Sequence, residues 1–376
     1  MSWPNGRVTR VLPKPIPGRI KEAREARGFT LESFADRLGK SKQAVAQFEA
    51  GQSVPSGETL ASIIELTQQP PVFFSVTPAR HSQPATLFWR ALKRAEKVHR
   101  QRIARRIQWA ADIVRLIDEF IEIPLINLPA LEVGFEDLSP DDIENAAESL
   151  RECWGLGNGP VVDLAGIAEQ NGIVLVREAV GCKDMDAVSC WIDGRPFALL
   201  AAETESGPRD LFNLAHEIGH LILHHGVMVT DENLKGIEKQ ANRFASAFLL
   251  PKESFEKEVM GTSIDYLTTL KKRWGVSIAA MATRCRDLGI FSKDQYSHVF
   301  RQMNYLQIRK VEPLDDLFDV SGPTMLSQAI TMLVEHSVCR PREMEQRLGL
   351  NLRDVESIAG LPEGYLDTTV VHLKFR

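Results

Sequence analysis

The residues best suited to chemistry stand in one short motif, His216-Glu217-Ile218-Gly219-His220. Two histidines four residues apart lie on the same face of an α-helix, so both imidazoles can bind one metal ion. Glu217 lies beside them and cannot comfortably reach that metal. Instead, it would take a proton from metal-bound water and pass it to a departing amine. The spacing predicts a zinc-dependent peptidase site with His216 and His220 as ligands and Glu217 as the general base.

A catalytic zinc ion needs a third protein ligand and keeps its fourth position for water. No third histidine follows at the spacing of the extended zinc motif. Glu238 is the best candidate because it begins an alanine-rich amphipathic segment that could lie close against the motif helix. Asn242, one turn further on, could hydrogen-bond the carboxylate or a histidine.

Other polar residues near the motif leave alternatives open. The rival ligands are His224, His225, Asp231 and Glu232. The two histidines follow the motif helix so closely that they should point away from the metal, and we expect them at an exposed helix end. Arg209 could stabilise a developing oxyanion, but we expect it to pair with a nearby carboxylate.

The five cysteines are scattered and contain no C-x-x-C pair, which favours reduced thiols over a disulfide framework. Cys182 and Cys190 precede the motif helix, and a thiolate could hold the open zinc position until it is displaced or oxidised. Cys182 is a candidate inhibitory thiol. Cys190 is expected to fill apolar space.

The elements that must position the motif are a small sheet and several helices. β-branched and apolar residues predict strands over 173–176, 187–192 and 197–201, with a turn at 193–196 that makes the last two a hairpin. Ser139 can cap a helix over 141–154, and another helix is expected over 163–170. Upstream, residues 87–123 show a long helical pattern. The basic first half of this pattern is either a stripe for phosphate contact or a solvated face.

Residues 16–75 contain four or five short helical segments separated by glycines, as a helix-turn-helix module requires. Thr30, Ser41 and Ser56 are placed to cap the second, third and fourth helices. The stretch AREARGFTLESFADRLGKSKQAVAQFEAGQSVPSGETLASIIELT resembles the DNA-binding domain of the XRE (Cro/C1-type) repressor family.

This resemblance implies that residues 42–50 form the recognition helix. The residues that would face DNA are Ser41, Lys42, Gln43 and Gln47. Glutamine can bond adenine in bidentate fashion, while serine and lysine suit phosphates. The alternative is a helical protein-binding or dimerisation module that does not contact DNA.

Three further segments carry a second resemblance. RDLFNLAHEIGHLILHH, EKQANRFASAFLLP and LKKRWGVSIAAMATRCRDLGI occur in this order and resemble the ImmA/IrrE family of metallopeptidases over about residues 141–290. In that family a zinc peptidase domain, often fused to an XRE-type domain, cleaves a partner repressor in stress responses or mobile-element control.

The second resemblance implies His216, His220 and Glu238 as zinc ligands and Glu217 as the base. It also implies that the strand near residues 197–200 is an edge to which an extended substrate could add itself.

Composition limits the remaining possibilities. The net charge of −5 means that any nucleic-acid contact must come from a local patch. No apolar leader begins the chain and no run of eighteen apolar residues occurs, so we expect a cytoplasmic protein, neither secreted nor membrane-spanning.

These observations predict an α+β chain of five parts. They are a flexible arm (1–15), an XRE-type helix-turn-helix domain (16–78), a long connecting helix and linker (79–135), a zincin-like metallopeptidase domain of gluzincin type (136–292) and a helical sensing or partner-binding domain (293–376).

The expected function is zinc-dependent cleavage of a partner protein, a repressor encoded nearby, in a stress, DNA-damage or phage-defence response, with DNA bound by the head. Homodimerisation is left open. One alternative is a DNA-binding regulator whose metal site is structural or ligand-sensing. Another is an antitoxin-like binding protein on a peptidase scaffold.

Overall fold

The computed structural model describes residues 14–78, 96–131, 133–181, 185–204, 206–320 and 322–367. Within these ranges, sixteen α-helices surround one three-stranded sheet, in agreement with the predicted α+β class. The first helices are α1 (Pro17–Ala26), α2 (Leu31–Arg37), α3 (Lys42–Glu49), α4 (Gly57–Thr67) and α5 (Lys97–Asp118). The central elements are α6 (Pro140–Cys153), α7 (Leu164–Gln170), β1 (Val174–Glu178), β2 (Ala187–Ile192), β3 (Arg195–Ala201), α8 (Gly207–Leu223) and α9 (Leu234–Leu249). The last helices are α10 (Lys252–Glu258), α11 (Ile264–Trp274), α12 (Ile278–Asp287), α13 (Lys293–Tyr305), α14 (Met325–Glu335), α15 (Pro341–Leu348) and α16 (Leu352–Ala359).

The predicted caps of the head are confirmed. The side-chain oxygens of Thr30, Ser41 and Ser56 each accept a hydrogen bond from the backbone N–H three residues further on. These bonds satisfy backbone donors that have no partner inside the helix, which fixes the starts of α2, α3 and α4. Ser139 likewise begins α6 through a reciprocal capping box with Asp142.

The connecting helix α5 is shorter than predicted. It ends at Asp118, and the residues up to Ile123 turn away because Pro124 disfavours a helical backbone before it. The predicted residues 87–95 lie outside the described part of the chain. Two arginines of the basic half are neither a phosphate stripe nor a solvated face, because Arg105 pairs with Glu25 and Arg106 is buried among carboxylates.

The strand order is β1-β3-β2, so the prediction that the strand near residues 197–200 is an edge is wrong. The hairpin turn Asp193-Gly194 has positive φ at both residues, which joins β2 to β3 in antiparallel register. β1 pairs in parallel with the other side of β3, with Val174 opposite Phe197. The parallel partner converts the expected edge strand into the central one. β2 and β1 are therefore the outer strands.

The two faces of the sheet bury two separate cores. Val174 and Val176 face a core shared with the head helices, α5 and the C-terminal helices α14 to α16. Leu175 and Leu200 face the other core, which contains α6 to α13. Helix α13 thus belongs to the same core as the motif helix, while α14 to α16 share the core of the head.

One buried group of charged residues, here called the arginine cluster, ties these regions together. It consists of Arg27, Arg106, Glu178 and Asp354. Arg106 lies between Glu178 of β1 and Asp354 of α16, and it donates from Nη1 to Asp354 Oδ1 at 2.6 Å. Arg27, at the end of α1, donates twice to the Asp354 carboxylate, at 2.7 and 2.8 Å. The cluster therefore fixes the head, α5, the sheet and the last helix against one another.

Among the described residues, no helix combines the length and the apolar character needed to cross a bilayer.

Candidate active site

The motif residues lie on α8, a helix whose apolar residues face the second core. Its spacing brings His216 and His220 together on one side, with their imidazole centroids 4.6 Å apart. The side chain of His220 is 2% exposed and that of His216 is 15% exposed, so one imidazole is enclosed and the other opens toward solvent.

A second helix, α9, approaches α8 closely enough to add a carboxylate. A Cβ built on Gly219 would lie 3.0 Å from the Phe244 ring, so glycine at this position permits the close approach. On the facing side, Ala241 and Ala245 are completely buried. The alanine-rich segment that sequence alone singled out therefore does pack against the motif helix.

Three potential metal-binding groups converge at this contact, and together they form what we call the histidine cluster: His216, His220 and Glu238. The two Nε2 atoms are 2.9 Å apart. Glu238 places one oxygen 3.4 Å from Nε2 of His216 and the other 3.6 Å from Nε2 of His220. Ligands on a tetrahedral zinc ion, at bonds of about 2.0 to 2.1 Å, are separated by about 3.3 Å. The three groups therefore fit a single zinc ion.

The orientation of His216 is fixed through a side-chain amide. Nδ2 of Asn242 donates to the backbone oxygen of Glu238 at 2.8 Å, which turns Oδ1 of the same amide toward His216. Nδ1 of His216 lies 3.2 Å from that Oδ1 and must carry the proton in this contact. Nε2 is then the unprotonated nitrogen, with its lone pair directed into the cluster.

His220 is oriented in the same way by a longer relay. Nε2 of Gln240 donates to the backbone oxygen of Phe135 at 2.8 Å, so its Oε1 accepts from Nε2 of His224 at 2.9 Å. Nδ1 of His224 is then an acceptor, and it lies 3.1 Å from Nδ1 of His220. His220 therefore carries its proton on Nδ1 and offers Nε2 to the cluster. Each histidine tautomer is ultimately set by a backbone carbonyl.

The expected exposed helix end is wrong for His224, which is completely buried. Its spacing of four residues from His220 places it on the same face of α8, and that spacing was the available signal. No sequence pattern pointed to the contact between Gln240 and Phe135, because Phe135 comes from a segment that precedes α6. His225 is exposed, as expected. Burial lowers the pKa of His220 to about 3, which keeps this imidazole neutral and able to bind a metal.

Glu217 lies beside the histidines, within 4.8 Å of their ligand atoms, and is held separately from Glu238. The hydroxyl of Ser189, on β2, donates to Oε2 of Glu217 at 2.6 Å. Burial raises the pKa of the Glu217 carboxyl to about 7, against the lowering effects of His216 and Ser189. A carboxylate with such a pKa can both accept and return a proton near neutral pH. Ser189 is a contact that sequence reasoning missed, since nothing in the strand pattern points to it.

The structure also places the candidate thiols, the candidate oxyanion-stabilising arginine and the rival acidic ligands. Cys182 lies outside the described residues. Cys190 is buried on the opposite face of β2 from Ser189, in the first core, and burial raises the pKa of its thiol. Arg209 pairs with Asp186 at 2.7 Å, as expected. Asp231 and Glu232 are exposed.

The predicted DNA-contacting residues lie at the start of α3. Ser41, Lys42 and Gln43 are exposed, and Gln47 is half-buried one turn further on. The hydroxyl oxygen of Ser41 also caps α3. The exposed end of α3 thus presents polar side chains on the surface of the head.

A helix-turn-helix head joined to a helix-and-sheet domain with a potential metal site defines the class of this protein, which combines a DNA-binding module with a metallopeptidase-type domain. Residues 168–286 match the family model of a peptidase family described as the IrrE N-terminal-like domain, and residues 20–74 match the helix-turn-helix family. These matches support an ImmA/IrrE-type peptidase domain preceded by an XRE-like helix-turn-helix domain. No curated protein matches the chain.

Proposed function

We propose that the protein is a zinc-dependent endopeptidase of the HExxH, gluzincin-like type that cleaves one or a few specific partner proteins. The observation that carries this proposal is the convergence of His216, His220 and Glu238 with a separately held carboxylate, Glu217, beside them. A purely structural zinc site has no need of a base next to its ligands.

The roles of the residues follow from their contacts. Bound zinc would polarise the scissile carbonyl and the attacking water. Glu217 accepts the proton of that water and returns it to the leaving amine, while Ser189 holds the carboxylate in place. Asn242 and His224 keep the two histidines in the tautomer that presents Nε2.

The substrate segment would bind in extended form along β2. This strand is an outer strand, contacts the motif helix α8 and carries Ser189, so an added strand would lie beside Glu217. The other outer strand, β1, contacts α7 on one face of the sheet and α16 on the other. β2 therefore replaces the strand near residues 197–200 as the proposed substrate edge.

The head would place this activity near DNA. We propose that Ser41, Lys42, Gln43 and Gln47 contact an operator in the cytoplasm and that the substrate is a transcriptional repressor encoded nearby, cleaved in a stress, DNA-damage or phage-defence response. Binding of enzyme and repressor to neighbouring DNA would raise their effective concentration. A homodimer would bind an operator with two-fold symmetry.

The test is co-expression of wild type and Glu217→Gln with the products of neighbouring genes. We expect one product to be shortened by wild type alone, while both proteins retain equal zinc when purified. If zinc is bound and no product is shortened, the DNA-binding regulator with a structural or ligand-sensing metal becomes the better function. For the head, Gln43→Ala with Gln47→Ala should weaken retention of the protein's own promoter in a gel shift, and unchanged retention would contradict the DNA contact.

A further inference from the structure

A large cleft lies beside the histidine cluster. It has a volume of about 1230 Å³ and is lined by Glu238 and Asn242 on one side and by residues of α12, α13 and the loop after α13 on the other. The second wall includes Tyr296, Phe300 and Arg309, all of which follow residue 286, where the match to the peptidase family ends. The family-matched domain thus supplies only part of the surface that surrounds the site.

The far wall contains two neighbouring aromatic rings with an arginine side chain against each of them. The guanidinium of Arg286 lies 4.6 Å from the Tyr296 ring centroid, and the guanidinium of Arg309 lies 4.6 Å from that of Phe300. The two rings are themselves 4.6 Å apart. Stacking holds an arginine by its flat face and leaves the N–H groups at its edge for a carboxylate.

The charges that line this cleft are unbalanced. Each lining carboxylate already has an interaction: Glu312 and Asp315 with Lys271, Asp287 with Arg286, Glu238 with the histidines, and Asp231 with a further group. Four lining cations form no salt bridge with any carboxylate in the described ranges; they are Lys235, Lys239, Arg309 and Lys310. In a chain of net charge −5, this is a local excess of positive charge, and a cleft concentrates its field.

We propose that this cleft, called here the cation cleft, binds acidic side chains of the protein segment that is cleaved, with Arg309 as the main anchor. The proposal rests on the proposed peptidase function, whose substrate class it narrows to acidic segments. A peptide can place separate carboxylates against separate cations. A nucleic-acid backbone, with a charge on every phosphate, would also meet the five carboxylates of the same lining.

The test is binding of labelled peptides to the full-length Glu217→Gln protein loaded with zinc, measured by fluorescence anisotropy. The probes are a capped twelve-residue peptide rich in glutamate, a matched peptide with lysine in its place, and an oligo-dT of twelve nucleotides. We expect the acidic peptide to bind at least about tenfold more tightly than either competitor, a ratio typical of one or two charge-assisted hydrogen bonds. Equal binding of the two peptides, or tighter binding of the oligonucleotide, overturns the proposal.

Paired variants locate the binding surface. Removing two cleft charges with Arg309→Gln and Lys310→Gln should lower the affinity for the acidic peptide about tenfold. The control removes the same charge outside the cleft with Lys257→Gln and Lys293→Gln, and it should change the affinity less than twofold. Arg309→Lys separates charge from geometry, because lysine cannot form the bidentate contact. A control that weakens binding as much as the cleft variant contradicts the proposal.

Failure of the cleft and failure of the peptidase are distinguishable. The anisotropy measurement needs no turnover. Arg309-dependent peptide binding by a protein that cleaves nothing would therefore support the proposed cation cleft and contradict the proposed peptidase function. Conversely, a partner that is cut with the same KM by wild type and by the double cleft variant would support the peptidase function and contradict the cation cleft.

Discussion

Two of the buried groups of ionisable side chains in the described part of the chain compensate their charges in opposite ways. In the arginine cluster, the carboxylates of Glu178 and Asp354 receive hydrogen bonds from two guanidinium groups, and Ser357 and Gln69 add two more donors. In the histidine cluster, two imidazole nitrogens and a carboxylate point their lone pairs at a common centre.

The way in which a buried polar group is compensated distinguishes a structural role from a metal-binding one. Charges removed from water must be compensated. The arginine cluster compensates its charges internally and ties four parts of the fold together, so its role is structural. The histidine cluster orients its acceptors by hydrogen bonds to Asn242 and His224 and fits a cation at their focus. The arginine cluster should therefore contribute to the free energy of unfolding at every metal concentration. The histidine cluster should contribute to it only when metal is bound.

The largest expected effect comes from breaking the arginine cluster. Arg106→Met leaves Glu178 and Asp354 buried without their shared cation, which should lower the free energy of unfolding by about 3 to 5 kcal/mol. Urea unfolding followed by tryptophan fluorescence would measure it, in metal-free buffer. The control is Arg115→Met on the same helix, where an exposed pair with Asp193 should contribute about 0 to 1 kcal/mol. Equal losses in the two variants would contradict a structural role for the cluster.

The second prediction concerns the histidine cluster, whose effect on stability should appear only when zinc is added. Wild type should gain about 2.7 kcal/mol of stability when free zinc is 100 times its dissociation constant, because only the folded protein presents the assembled site. His220→Ala should remove this gain, whereas His225→Ala should keep it because that side chain is exposed at the helix end. The measurement is the unfolding temperature with zinc and with chelator. The same zinc response in His220→Ala would show that the metal binds elsewhere.

The third prediction tests the relay behind His220. Gln240→Lys offers only donors to His224, which would reverse both tautomers and place a proton on Nε2 of His220, so zinc affinity should fall about 10 to 100-fold. Gln240→Glu keeps an acceptor for His224 and should stay closer to wild type. Competition with a fluorescent zinc chelator measures both variants. Equal affinities for the two would mean that the relay does not set the tautomer.

The two clusters also differ in how far they could be predicted. His216, Glu217 and His220 follow from helix spacing, and Glu238 follows from small residues on the next helix, because all four depend on contacts between neighbours in sequence. The caps at Thr30, Ser41 and Ser56 are local for the same reason.

What was missed depends on contacts across long stretches of chain. From the sequence, Arg106 was interpreted as a surface cation, because its partners Glu178 and Asp354 lie 72 and 248 residues away. His224 was interpreted as exposed, because the residues that bury it include Phe135, which precedes α6. The resemblance implied an edge strand near residues 197–200, and this was wrong because β3 also pairs in parallel with β1, a strand that is not its neighbour in sequence.

The smallest expected effect is a pH dependence confined to the arginine cluster. Burial alone would raise the pKa of Asp354, but Arg106 and Arg27 outweigh burial, and the pKa lies below its usual range. Because the folded pKa is lower than the unfolded one, near 3.9, the carboxylate contributes stability above about pH 4 that is lost as the pH falls toward the folded value. Asp354→Asn cannot titrate, so its unfolding free energy should decline less steeply than that of wild type between pH 5 and pH 3. Urea unfolding at several pH values isolates this slope from the constant cost of the substitution. Parallel declines in both proteins would place the acid sensitivity elsewhere and leave the cluster with a stability role that does not depend on this titration.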